Sequence, residues 1–229
     1  MNINTPGVAT GLSERLRNET RALHTEVERG PFMHAMLRGQ LGRPAYCRLL
    51  RNLHPIYEAL ETALVQHATD ALVAPVYFPA LFRSKALERD LDALHGNNWQ
   101  REIATQAACR TYVTRLHRMQ KNDAALLVAH AYVRYLGDLS GGQMLKRIVA
   151  DSLQIANGAG TAFYDFGDAI QTTALTQAFR SGLRSVPADE AQTGMIVAEA
   201  VLAFELHRSL FRQLDLASRP STPSPVKAP

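Results

Sequence analysis

At 229 residues the chain allows one large domain or two small ones, and a hydrophobic content of 46% is ordinary for a folded globular protein. A net charge of +4 with no run of five like charges argues against a nucleic-acid binder and suits a basic lining for an anionic small molecule. No stretch approaches 18 uninterrupted apolar residues and the N-terminus lacks a basic-then-apolar signal pattern, so no membrane span is expected and the chain reads as cytoplasmic. Cys47 and Cys109 have no metal-like spacing and are expected to be buried free thiols.

Residues 1–10 read as a flexible lead-in, residues 11–216 as one domain, and the Pro- and Ser-rich residues 217–229 as a disordered tail. Leu12, Leu16, Leu23 and Val27 give a first helix its apolar stripe, ended by Gly30-Pro31. A short helix over Phe32 to Leu37 follows. A long one from Pro44 to His67 should kink at Pro55, where a backbone donor is missing. Residues 69–80 are apolar but broken by Pro75 and Pro79, and read as turns. Further helices are expected over Lys85 to Leu94 and Gln100 to Met119. Another, capped by Asn122-Asp123, should run to Leu153. The last two run from Asp168 to Leu183 and from the Pro187–Asp189–Glu190 start to Leu216. No segment alternates with period two, so the class is an all-α, single-domain multi-helix bundle.

The helix before Leu153 contains RYLGDLSGGQ, Arg134 to Gln143, with glycines at 137, 141 and 142. A glycine inside a helix costs about 0.5–1 kcal/mol relative to alanine, so three cost roughly 2–3 kcal/mol. Two readings account for that: a loop between two helices, or a kinked helix whose backbone lies against a bulky ligand. In the first helix, Arg17, Arg21, His24 and Glu28 fall at intervals of four, three and four, on one stripe. A histidine there can ligate a metal with Glu28 orienting its other nitrogen, while the arginines contact carboxylates beside that metal. A metal flanked by carboxylates on a flat apolar body describes haem.

RYLGDLSGGQ, with HAY at His130 to Tyr132 just ahead of it, resembles the distal-helix signature of the haem oxygenase family. LSERLRNETRALHTEVE, Leu12 to Glu28, is similar to that family's proximal helix; Phe163-Tyr164 and Ala203-Phe204 also match. The resemblance covers roughly residues 10 to 216. It implies a fold with haem between the first helix and a kinked Gly-rich distal helix. His24 is then the axial ligand of the haem iron, with Glu28 near its far nitrogen and Phe204 against the haem. Arg17, Arg21 and Arg180 take the propionate side, and Gly137 and Gly141 lie against the distal face. Asp138 holds a distal water network that includes Arg134 and Tyr132. Thr176 departs from the pattern, standing where the animal enzymes have a lysine. The implied reaction is oxidative cleavage of haem, substrate and cofactor at once, by O2 to biliverdin (the IX-alpha isomer), CO and Fe2+. The chain carries no flavin or nicotinamide fingerprint, so electrons must come from a separate ferredoxin or reductase, with a biliverdin acceptor as a further partner and a monomer as the working unit. A haem carrier or sensor is the alternative; it would have no use for Asp138. The remaining histidines, including His130 and His207, lack paired metal-site spacing and read as surface or core residues.

Overall fold

The computed structural model describes residues 11–156 and 158–218. The expected lead-in and nearly all of the expected tail lie outside them. Every regular element among the described residues is helical: α1 (Leu12–Arg29), α2 (Pro31–Leu37), α3 (Arg43–Gln66), α4 (Ser84–His95), α5 (Trp99–Glu102), α6 (Ala107–Asn122), α7 (Leu127–Ser152), α8 (Ala169–Ser185) and α9 (Glu190–Ser218). α9 thus carries Ala217 and Ser218, which the sequence placed in the tail. Short 3-10 turns interrupt the 74–81 stretch, as the two prolines require, and precede α7 and α8.

The helix boundaries follow local chemistry. Pro31 opens α2 in the first helical turn, where a missing N–H costs nothing. α3 continues through Pro55. Asp168 and Gln171 form a reciprocal capping box at the start of α8, and Asp189 and Gln192 repeat it at α9 with bonds of 2.8 and 2.9 Å.

Two expectations fail. The helix expected over Gln100 to Met119 is broken between α5 and α6. α3 supplies the reason: the buried Asn52 side chain accepts the Gln106 N–H at 2.6 Å, and Arg51 Nε donates to the Ile103 carbonyl at 3.2 Å. These tertiary bonds take backbone groups that a continuous helix would have paired within itself. Nor does Asp123 cap α7 with its side chain. Its carbonyl accepts the Leu126 N–H at 3.2 Å, closing a 3-10 turn (Ala124–Leu126) that leads into the helix.

α9 is the spine of the bundle. It packs along α1, α2, α6 and α7, while α3 packs against α4, α6 and α7. The core includes the fully buried Leu16, Leu50, Tyr57, Tyr112, Ala129 and Phe179. α1 and α7 both lean on α9, and a cleft opens between them. α8 reaches the mouth of that cleft. It is seated by Gly182, where a Cβ would fall 1.9 Å from the Pro75 carbonyl oxygen, so its backbone rests directly on the 74–76 turn. Cys47 and Cys109 are both buried and free.

Candidate active site

α7 is unbroken through all three glycines, which removes the loop reading. The glycines serve two different surfaces. A Cβ on Gly137 would meet nothing within 4 Å, and one on Gly141 only Leu145 Cδ1 at 3.9 Å, so both present bare backbone to open space. Gly142 faces the 164–166 segment instead: a Cβ there would lie 3.5 Å from the Tyr164 carbonyl oxygen, an ordinary contact distance.

The space beside Gly137 is a cleft in two joined compartments of about 290 and 470 Å³. His24, Val133, Gly137, Ser140 and Phe204 line both. The inner one is apolar, walled by Met33, Met36, Leu49 and Phe163; the outer one is rimmed by Arg17, Arg180 and Arg184. Asp90 on α4 pins the inner wall, its carboxylate accepting the Ala162 and Phe163 N–H groups at 2.7 Å each.

On the α1 wall, His24 is about half exposed, with Nδ1 3.5 Å from a Glu28 carboxylate oxygen and its ring edge-on to Phe204 at 6.0 Å between centroids. At 3.6 residues per turn, Arg17 lies about 20° from His24 around α1 and Arg21 about 60°. Arg17 accordingly lines the cleft, whereas Arg21 is exposed and lines neither compartment. Arg184, one turn beyond Arg180 on α8, takes the place the sequence gave to Arg21. Thr176, one turn before Arg180, donates its hydroxyl to the Thr172 carbonyl at 2.7 Å and lines neither compartment.

Behind Gly137 and Gly141 lies a buried polar cluster. Arg134 and Asp138 occupy successive turns of α7, and both line the inner compartment. Tyr57 of α3 donates a short hydrogen bond to Asp138 Oδ2. Arg134 donates to the same Tyr57 oxygen from Nε at 3.0 Å and from Nη2 at 2.7 Å, and approaches Asp138 Oδ1 at 3.5 Å. Burial pushes the Asp138 carboxyl above the usual range, opposed by Arg134, Tyr57 and Arg83, and burial also raises the Tyr57 phenol. His207 of α9 lines the compartment too, with Arg134 Nη1 2.7 Å from its Nδ1.

Tyr132 does not join this cluster. It sits on another face of α7, in the outer compartment, with its hydroxyl 3.2 Å from Thr20 Oγ1. Tyr57 and His207 do join it; the sequence reading did not single out Tyr57 and took His207 for a surface or core residue. His207 left a trace, since Phe204, His207 and Phe211 repeat at helical spacing; Tyr57 left none. His130 is a core residue, its Nδ1 accepting from Tyr112 at 3.0 Å and its Nε2 donating to Glu199 at 2.9 Å.

The bare face of Gly137 makes the cleft sensitive to one side chain. Gly137→Leu should fill the space opposite His24 and abolish binding of a flat ligand while leaving the fold intact. Titration followed by absorbance, with circular dichroism as the fold control, checks this; unchanged affinity would remove Gly137 from the site.

An all-α bundle with a histidine facing bare helix backbone, an apolar inner cleft and a cationic rim is a haem-binding protein by design. Comparison with known proteins narrows the class. The family model described as "Heme oxygenase" matches residues 10–213, and the chain belongs to the haem oxygenase family. Heme oxygenase 2 of Synechocystis is 40% identical over 210 residues, 90% of this chain and 84% of that protein. Human heme oxygenase 1 is 39% identical over 222 residues, 95% of this chain and 77% of that protein. Among solved structures, Synechocystis heme oxygenase-1 in complex with heme superposes with a TM-score of 0.85 at 36% identity, covering 91% of this chain and 94% of that one. Synechocystis heme oxygenase-2 with heme and NO gives 0.84 at 37% identity, covering 94% and 95%.

Proposed function

We propose that this chain is a haem oxygenase whose working unit is residues 11–216, cleaving haem held in the α1–α7 cleft. The observation that carries the reading is one arrangement: His24 on one wall, the bare backbone of Gly137 on the other, and the buried Asp138–Tyr57–Arg134 cluster behind it. Bound there, haem supplies both the iron that activates O2 and the carbon that is oxidised, and the products are biliverdin, CO and Fe2+.

The residues divide the remaining work. His24 would hold the iron through Nε2, since Glu28 3.5 Å from Nδ1 favours the proton on that nitrogen. Gly137 and Gly141 admit the ring and O2 where any side chain would intrude. Asp138 holds water at the cleft and moves a proton through it. Tyr57 and Arg134 keep its carboxylate in place. Phe204, edge-on to His24, would form part of the wall against which haem is held. Arg17, Arg180 and Arg184 take the propionates with charge-assisted hydrogen bonds, and Arg21 adds only to the field. Anchoring concentrated at one end of the cleft would restrict the ring's rotation, and our reading is cleavage at the alpha-meso carbon.

No helix among the described residues is long and apolar enough to cross a membrane. We place the protein in the cytoplasm as a monomer. It takes electrons from an acidic ferredoxin or reductase and passes biliverdin to an acceptor.

The test is turnover of the haem complex with reductant and O2 in the presence of catalase. The Soret band should decay as a biliverdin spectrum grows, with the alpha isomer dominant on chromatography. A persistent Soret band would instead mark a haem carrier. His24→Ala should replace the histidine-ligated spectrum with that of a weak-field adduct; an unchanged spectrum would remove His24 as the ligand.

A further inference from the structure

On the face of α9 turned away from the cleft, a separate groove of about 510 Å³ runs between α9 and α6. Its α9 bank is apolar. Met195, Ala198, Leu202 and Leu206 recur at intervals of three, four and four residues, within an arc of about 80° around the helix. Phe204, which lines the cleft, lies about 160° from the middle of that arc. Met195 and Leu202 are 48% and 38% exposed, and Ala198 is exposed as well. Exposed apolar residues scattered singly are ordinary, but a run of them on one stripe beside a groove marks a face that another molecule covers.

The α6 bank is cationic. Arg110, Thr114 and Arg118 stand at intervals of four with Arg115 beside them, and no acidic residue lines the groove. Arg110 and Arg118 are about 12 Å apart along the helix axis. Arg115 is engaged by Glu199, its Nε donating to Oε1 at 2.9 Å. Arg110 spends one nitrogen on the Thr105 carbonyl at 2.6 Å, and Arg118 has no hydrogen-bond or ion-pair partner among the described residues. The hydroxyl protons of Thr111 and Thr114 go to the Ala107 and Arg110 carbonyls at 3.1 and 2.9 Å. The donors left facing the groove are therefore guanidinium groups.

The two banks define the occupant. It must be apolar along one side and anionic along the other, over at least the span from Arg110 to Arg118. A groove between two helices admits a third, and a helix with an apolar stripe and carboxylates four residues apart on its flank meets both banks at once. A small anion would engage one arginine and leave Leu202 uncovered. A second copy set groove to groove would leave Arg110 and Arg118 without a carboxylate, since the lining holds none. Residues 1–10 and 219–229 contain no Asp or Glu, so the ends of the chain do not supply one either. We propose that the α6–α9 groove docks an acidic amphipathic helix of a partner protein. This does not rest on the oxygenase reading, because neither bank belongs to the haem cleft.

The experiment uses the full chain and a fluorescent, stapled helical peptide of about 14 residues, with Leu at i, i+3 and i+7 and Glu along one flank. Anisotropy should show saturable binding in the micromolar range that weakens as salt rises from roughly 50 to 500 mM. The same peptide with Lys in place of Glu should not bind. Arg118→Glu and Leu202→Ser should each weaken binding about fivefold, and the two together about twentyfold. Neither side chain lines the cleft, so both variants should bind haem like the wild type, which keeps this outcome separate from the turnover test. Vesicles of phosphatidylglycerol should not displace the peptide. No saturable binding up to about 1 mM, equal binding of the Lys peptide, or unchanged affinity in either variant overturns the proposal. Displacement by the vesicles overturns it as well and gives this face to an anionic membrane surface instead.

Discussion

Asp138→Ala should bind haem with nearly wild-type affinity and form biliverdin at least a hundredfold more slowly. His24, Phe204 and the arginine rim are untouched by the change, so the groups that hold the ligand remain. What disappears is the buried carboxylate to which we assign the positioning of water at the cleft, and proton transfer by a positioned side chain is worth about 10²–10⁴ in rate. The variant also leaves the Tyr57 hydroxyl without its acceptor and Arg134 without its nearest carboxylate. An orphaned buried donor costs about 1–3 kcal/mol, so thermal unfolding must be measured alongside turnover. Asp138→Asn separates the two losses. Its amide oxygen can still accept from Tyr57, which restores stability, but it cannot serve as a carboxylate, so the rate should stay low. Wild-type biliverdin formation in Asp138→Ala would show that the proton takes another path.

The parts of this site that the sequence disclosed are those on a single helix. Arg17, His24 and Glu28 share a stripe of α1, and Arg134, Gly137, Asp138 and Gly141 fall on consecutive turns of α7; helical periodicity alone puts each set on one side. The same periodicity separates Tyr132 from Asp138, about 120° apart around α7, but leaves Arg21 on the α1 stripe, about 20° from Glu28, so its place outside the cleft was not readable from spacing. Both were included because their residue types suited the chemistry and their spacing came close. What stayed hidden arises between helices. Tyr57 stands 81 positions from Asp138, and nothing near it in the chain shows that α3 will deliver its hydroxyl there. The break between α5 and α6 was equally invisible, because the competitor for the Gln106 amide is a side chain 54 residues away. Helix existence, by contrast, was legible almost throughout, because Gly, Pro and capping pairs such as Asp168–Gln171 act within a few residues of where they stand.

A second buried network sets where α7 lies, and its loss should appear as a pH-dependent loss of stability. Glu199 of α9 is 4% exposed and binds Arg115 of α6 through both carboxylate oxygens while accepting from His130 of α7. Burial alone would raise its pKa, but Arg115 and the His130 N–H overcome that and hold it down at about 2 against an ordinary 4.5. A carboxylate lowered on folding stabilises the native state above its unfolded pKa, and that contribution drains away as pH falls from about 4.5 through about 2. The shift corresponds to roughly 3 kcal/mol at neutral pH, an upper figure because Arg115 is 28% exposed. Glu199→Gln keeps an acceptor for His130 and removes the charge. Urea unfolding should therefore find the variant less stable by up to about 3 kcal/mol at pH 7, with the gap falling to less than half near pH 3. His130 and His207, both held neutral by burial, make the wild type acid-labile already below pH 6.5, and Asp90, raised to about 6 by burial, works in the opposite sense. His207 and Asp90 are the same in both proteins and cancel in the difference, whereas His130 is bonded to Glu199, whose charge raises its pKa, so the gap reports the Glu199–His130 pair. A gap that does not change with pH would mean that the carboxylate charge does not hold α6, α7 and α9 together, and that neutral packing around His130 fixes the glycine helix over the cleft instead.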